Sequence, residues 1–411
     1  MQKIDIISQK RMSMANLLII GAGGVGRVSA FKAAKNRDVF ENIVLASRTK
    51  SKCDEIAKDI KDKLGIEIKT YSLDANKKEN VIELIKKENI DIVCHVALPY
   101  QNLPIMHACI ETGTAYLDTA LAETEDNPDT YYDLQWALDE DFKKAKTMAL
   151  LGCGFDPGVT SVMVKYAADY LLDELEEIEI YDCNFGDHGR AFATNFDPEI
   201  NLRELNLPGK YWEEGIWKTT APFEIQVKHN YPECGEATSI LIWHEELESI
   251  VKHFPNLKKA KFYMCFSDKY LYHFNALKNV GMFSIEPIEV CDGVKISPLQ
   301  FLAKVLPDPQ DLVKNYKGQT NIGVIATGKK EGITKKFYIY NICDHQKAIK
   351  ETGAHCVSYT TGVPAIIGCK LMAEKVWWSE GVKNVEEFDA KPFFEEMEKQ
   401  GLPIKVMEIK D

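Results

Sequence analysis

Short apolar runs separated by polar stretches of helical length mark the first third of the chain. Leu17-Leu18-Ile19-Ile20 is continuously apolar, as a parallel strand covered on both faces must be. Further strands are predicted over 43–46, 66–73, 91–96, 116–118 and 147–151, with helices over 24–36, 52–64, 81–88 and 104–112. This alternation is the signature of βαβ units. Beyond residue 152 the rhythm changes: a long helix over 159–172, a strand over 177–183, then loops, aromatics and period-2 strands. Runs at 323–326 and 336–341 flank Gly328-Lys329-Lys330-Glu331-Gly332 and predict an antiparallel hairpin. Residues 364–375 read as an amphipathic helix, while 211–223 and 294–305 fit neither period.

Gly21-Ala22-Gly23-Gly24-Val25-Gly26 follows the first strand and opens the first helix. In G-x-G-x-x-G the first glycine makes the tight turn, the second admits a pyrophosphate and the third lets helix pack on strand. Gly24 and Val25 sit at the helix N-terminus, whose N–H groups favour phosphate. The fold class is therefore α/β. A doubly wound Rossmann domain is expected over 14–152, and a mixed α/β (α+β) substrate and dimerisation domain over 153–345. Helices over 346–411 are expected to return to the first domain. Residues 1–13 read as an extension, with Met14 a candidate start.

An NAD site wants an acid at the end of the second strand. Here stand Ala46-Ser47-Arg48-Thr49-Lys50. Arg48 can pair with a 2′-phosphate and stack on adenine, and Ser47 and Thr49 add hydroxyls, so NADP(H) is the expected cofactor. Asp74 is placed either on the adenine amino group or in a turn. Ala97, Leu98 and Pro99 fall beside the nicotinamide ribose. Gly154-Phe155-Asp156-Pro157-Gly158 reads as a loop that caps a helix and faces the nicotinamide, with Asp156 a candidate catalytic acid. Asp118 and Thr119 stand at a strand's carboxyl end, where open α/β sheets bind ligands.

With 411 residues, two or three domains are expected. The 62 acidic against 50 basic residues give a net charge of −12. That charge argues against nucleic acid or anionic membranes as partners and favours small molecules, cationic ones included. The eleven cysteines form no C-x-x-C pair. They read as reduced hydrophobes of a cytoplasmic protein without a metal site.

GAGGVG, ASRT, HVALPYQNLPIMHACIETGTAYLDTA and LGCGFDPGVTSV resemble the saccharopine dehydrogenase-like reductases. GRAFATNFDPEINLRE and YPECGEATSILIWHEELESIVKHFP are most similar to the carboxynorspermidine (carboxyspermidine) dehydrogenase branch. The resemblance runs from about Ala15 to the region of Thr360–Ala365. It implies a homodimer that condenses L-aspartate β-semialdehyde with putrescine or 1,3-diaminopropane, using NADPH to reduce the imine. Such a pocket needs one cation for a carboxylate and acids for ammonium groups. Arg203 is the first candidate for the carboxylate and Arg190 the second. Asp197, Glu199 and Glu236 are candidates for the ammonium groups, and His244 for the imine proton, although a helical His beside two acids more often faces solvent. Two alternatives stand beside this reading: a saccharopine dehydrogenase of lysine metabolism, and a non-catalytic NADP sensor on the same fold.

Overall fold

The computed structural model describes residues 14–123 and 132–410, so the extension read over 1–13 lies outside the described residues. Strands β1 (Ala15–Ile20), β2 (Phe40–Ser47), β3 (Lys69–Ser72), β4 (Ile92–His95), β5 (Ala115–Asp118) and β6 (Met148–Leu151) form a parallel sheet. Its order is Gly381–Asn384, β6, β5, β4, β1, β2, β3. Leu17 and Ile19 bury into one core, Leu18 and Ile20 into another on the opposite face. That is why the run carries no polar alternation. Strands are added outward on one side from β1 to β3 and on the other from β4 to β6, so the strand order switches between β1 and β4. The loops after these parallel strands open a crevice at their carboxyl ends.

Helix α1 (Gly24–Lys35) lies against the helix Cys356–Ala373, close enough that a Cβ on Gly362 would stand 2.7 Å from Val28 Cβ. The amphipathic helix expected over 364–375 is thus corrected twice. It starts at Cys356, and it is buried nearly all round because both sheets pack on it. By length and composition it could cross a membrane, but 78% of it is inside the fold.

A second, nine-stranded mixed sheet is built around β7 (Glu174–Asn184). β7 pairs in parallel with Lys259–Cys265 and antiparallel with Gln319–Lys330. The predicted hairpin is longer than its apolar runs, Gln319–Lys330 against Ile333–Asp344. Its turn shrinks to Glu331-Gly332, both at positive φ (52° and 77°), the two-residue turn that matches strand twist. The helix read over 159–172 is α-helical at Val159–Tyr166 and ends in a π-helical turn, Ala167–Leu171.

The ambiguous stretches resolve through tertiary packing. Gly209–Glu213 and Ile216–Thr220 form a hairpin whose Trp212 and Trp217 meet edge to face at 5.3 Å. In the second, Val294–Ile296 pairs with Ile288–Cys291, and the helix Pro298–Val305 follows, capped by Ser297. One cysteine expectation is corrected: Cys183 and Cys265, on neighbouring strands with Cα atoms 4.9 Å apart, are joined in a disulfide.

Candidate active site

A cleft of about 1330 Å³ runs from the glycine loop across the carboxyl ends of β1, β2 and β4 to Asp182 on β7. Its outer end is made by backbone. Gly21 has φ of 124°, and a Cβ there would lie 2.7 Å from Val96 O. On Gly26 it would lie 1.9 Å from Gly21 O, so the third glycine seats α1 on its own loop. Gly23 faces open space, with Gln310 Nε2 the nearest atom at 3.8 Å from a would-be Cβ. Gly23 also caps α1 without a side-chain acceptor. Gly24 and Val25 line the cleft beside it. The loop thus leaves a helix N-terminus open to an anion, and a dinucleotide pyrophosphate fits it.

Ser47, Arg48 and Thr49 line the same end, joined by Lys52, which the sequence reading missed. The cations here differ in their partners, and Lys52 meets Asp308 at 3.2 Å. Lys50 turns away to pair with Asp54 at 2.6 Å, whereas Arg48 is exposed and meets no carboxylate among the described residues. Ser47 Oγ donates to Thr49 O at 3.1 Å and so tightens the turn. Ala97, Leu98 and Pro99 form the wall after β4.

Several expected residues lie elsewhere. Asp74 takes the turn role: its carboxylate accepts from Asn76 N–H at 3.3 Å, while its neighbours Leu73 and Ala75 reach the cleft. Gly154 donates its N–H to Pro157 O at 2.9 Å and Phe155 is 1% exposed, so neither lines the cleft; Asp156 and Pro157 do. Nor does Pro157 open the helix, which starts at Val159 after Gly158.

Asp118 is a structural tie. Its side chain accepts from Gly152 N–H at 2.8 Å, Gln135 Nε2 at 2.6 Å and Asn102 Nδ2 at 3.3 Å, and burial lifts it to about 7. Thr119 and Ala120 line the cleft instead. Arg190 is exposed in a loop outside the cleft. Glu236 is exposed on a strand, paired with Lys228 at 3.0 Å. Glu236 sits near the turn of the hairpin formed by Gln226–Tyr231 and Gly235–Ile242, opposite Asn230, where the pairing leaves its side chain in solvent.

The inner end is acidic. Asp197 caps the helix Pro198–Glu204, accepting from Glu199 N–H at 3.0 Å and Ile200 N–H at 3.2 Å. That turn aims Glu199, Arg203 and Glu204 into the cleft. Arg203 donates to Tyr100 Oη at 3.0 Å and pairs with Glu123. Opposite stand Asp156, hydrogen-bonded to Asp182, and Glu245, which accepts from Leu121 N–H at 3.1 Å. Withdrawal from water lifts Asp182 to about 6 and Glu204 to about 7, and raises Asp156 and Glu245 well above the carboxylate range.

His244 is not a surface residue. It lines the cleft, stacks on Phe262 at 4.2 Å and pairs through Nδ1 with fully buried Glu246. Burial by itself pushes the imidazole down. The charges of Glu246, Asp156 and Glu204 outweigh this and hold it well above its ordinary value. Glu123, Asp182, Glu204, Glu245 and Glu246 were all missed. Only Asp182 left a trace in sequence, as an acid that follows buried Ile178 and Ile180 on one face of the strand predicted over 177–183.

Residues 17–150 match the saccharopine dehydrogenase NADP binding domain, and residues 154–402 the saccharopine dehydrogenase C-terminal domain. The chain belongs to the saccharopine dehydrogenase family. A carboxyaminopropylagmatine dehydrogenase of Synechocystis sp. is 48% identical, over 95% of this chain and 97% of its own. A carboxynorspermidine synthase of Vibrio cholerae is 40% identical, over 96% and 97%. The apo saccharopine dehydrogenase (L-Glu forming) of Saccharomyces cerevisiae shares the fold, with a TM-score of 0.73 at 15% identity over 96% of this chain and 100% of its own. The chain is thus an oxidoreductase of a nicotinamide-cofactor family, not a mere sensor.

Proposed function

We propose that the enzyme condenses L-aspartate β-semialdehyde with the primary amine of a polyamine precursor and reduces the imine at the expense of NADPH. The observation that carries this reading is the inner end of the cleft: one arginine, Arg203, among many carboxylates. An amino-acid aldehyde bears one carboxylate for Arg203 to clamp. Its amine partner carries distal positive charge, for which Glu199 offers a counter-charge, while the buried Glu204 and Glu245, both raised by withdrawal from water, would ionise against an ammonium that enters beside them. The relatives' names share a carboxylated aminopropyl unit and differ in the amine that bears it, a diamine in one and agmatine in the other. Putrescine, 1,3-diaminopropane and agmatine are accordingly the candidate amines. A saccharopine-type substrate carries further carboxylates, and the inner end holds no second arginine among the described residues.

The loop Gly21–Gly26 and the α1 N-terminus would hold the pyrophosphate, and Arg48, Ser47 and Thr49 the 2′-phosphate. When bound, NADPH supplies the hydride that reduces the imine carbon. The chain's own task is proton handling and positioning. Amine and aldehyde add to give a carbinolamine. His244 protonates its hydroxyl, the C–O bond breaks, water leaves, and the nitrogen lone pair closes the C=N bond. One aldehyde, one amine, one NADPH and one proton give the secondary amine, NADP⁺ and water.

The test is NADPH oxidation with aspartate semialdehyde and each amine in turn. Turnover with one of the three is expected. Activity confined to saccharopine, or to lysine with 2-oxoglutarate, would transfer the enzyme to lysine metabolism. Arg48→Asp is expected to weaken NADPH binding by about ten- to a hundredfold, the worth of a charge-assisted hydrogen bond. Fluorescence titration should show NADH affinity held or improved.

A further inference from the structure

His244 is held on two sides. Its ring lies flat on Phe262, with planes 14° apart, and its Nδ1 meets a Glu246 carboxylate oxygen. Glu246 is the first residue of the helix Glu246–His253, where the helix dipole favours an anion. Its other carboxylate oxygen is 3.4 Å from Thr160 Oγ1, on the helix Val159–Tyr166. The glutamate side chain is 0% exposed and the histidine 14%, so the histidine alone of the two opens on the cleft.

We propose that Glu246 is the positioning residue of His244, taking the Nδ1 proton in a hydrogen bond so that the ring is fixed in orientation and Nε2 is left as the proton donor. This rests on the reductive condensation above and assigns the origin of its proton donor. A buried carboxylate beside an imidazole stabilises the imidazolium and disfavours the neutral ring. The remaining charges facing His244 come from four segments: Glu245 beside it, Asp156 before the helix Val159–Tyr166, Asp182 on β7, and Glu204 ending the helix Pro198–Glu204. Asp156 and Asp182 are hydrogen-bonded to each other, and such a contact requires a proton between them. Glu204 and Glu245 are raised by withdrawal from water. Glu246 is the carboxylate in direct contact, and burial of the pair leaves no solvent to replace it. Because the imidazole is held above its ordinary value, the protonated donor persists through neutral pH and activity is lost on the alkaline side, as the ring deprotonates.

The experiment combines two readouts. Histidine ring NMR on the wild-type chain, with His244→Gln used to identify the resonance, should show His244 titrating well above free histidine. The pH profile of kcat for Glu246→Gln should have its alkaline limb displaced downward by about one to three pH units, the effect of one adjacent opposite charge. KM and NADPH affinity should be nearly unchanged, and Glu246→Asp should restore part of the displacement. A Glu246→Gln limb coincident with wild type, or a wild-type ring that titrates at or below the free value, overturns the assignment. Should Glu246→Gln not fold, the wild-type titration decides. That titration needs no turnover, so an enzyme silent with every amine would remove the proposed reaction and still leave the pair to be judged on NMR.

Discussion

Glutamine in place of His244 is expected to lower kcat by roughly 10²–10⁴-fold, the usual contribution of a positioned general acid. The imidazole is the cleft-lining group with a ring nitrogen held by a buried acid, and glutamine keeps its approximate length and hydrogen-bonding capacity while removing the transferable proton. Arg203 and the glycine loop lie on other elements, so NADPH affinity and the KM for the aldehyde should stay close to wild type. The loss should fall in kcat, the sign of an interaction made in the transition state and not in binding. Single-turnover measurement with saturating NADPH reads this directly. A drop of less than tenfold would move the donor's role to another group of the cleft. The variant also leaves Glu246 buried without its cation, which costs stability. Thermal unfolding therefore has to accompany the kinetics, so that loss of activity is not confused with loss of fold.

Gly26→Ala is expected to abolish measurable NADPH binding and to lower the Tm. An added Cβ would stand 1.9 Å from Gly21 O and 2.7 Å from Gly21 C, both backbone atoms of the loop that would cradle the phosphates. Helix α1 cannot retreat to make room, because its far side meets the helix Cys356–Ala373 at Gly362, where even a methyl group would lie 2.8 Å from Val25 O. Overpacking of this kind costs about 1–3 kcal/mol. The displaced loop also loses its fit to a pyrophosphate. Gly65→Ala is the matched comparison: Gly65 has φ of 71°, but a Cβ there meets nothing within 4 Å. It should cost about 1 kcal/mol in backbone strain and leave NADPH affinity intact. Equal affinity in the two variants would show that the tight approach at Gly26 is not what shapes the site.

The misreadings share a cause. His244 followed by Glu245 and Glu246 has the composition of a solvated helix face, yet the strand Gly235–Ile242 delivers it into the cleft and only Glu246 begins the helix. Glu236 lies eight positions before His244 in chain order, on the far end of that same strand, and points to solvent beside Lys228. Asp118 stands at the right end of the right strand, but its carboxylate is used up by Gly152, Gln135 and Asn102. Composition assigned each of these residues a character. What each one faces is decided by how its strand or loop is placed: Glu236 near the solvent end of a hairpin, Asp118 against three donors from other loops and helices, and His244 against Phe262, Asp156 and Glu204 from distant segments.

What the sequence by itself determined is local: the strand of Leu17–Ile20, the three glycines, Arg48 in place of an acid, and the family. These depend on spacing within a few residues, where sterics and hydrogen bonding act directly along the chain. The tertiary structure alone decided the inner site. Asp156 comes from the loop after β6, Asp182 from β7, Arg203 and Glu204 from the helix Pro198–Glu204, and His244 from the end of Gly235–Ile242. No periodicity links positions so distant. They meet because two sheets pack on one buried helix, Cys356–Ala373, and because withdrawal from water then sets their charges against one another.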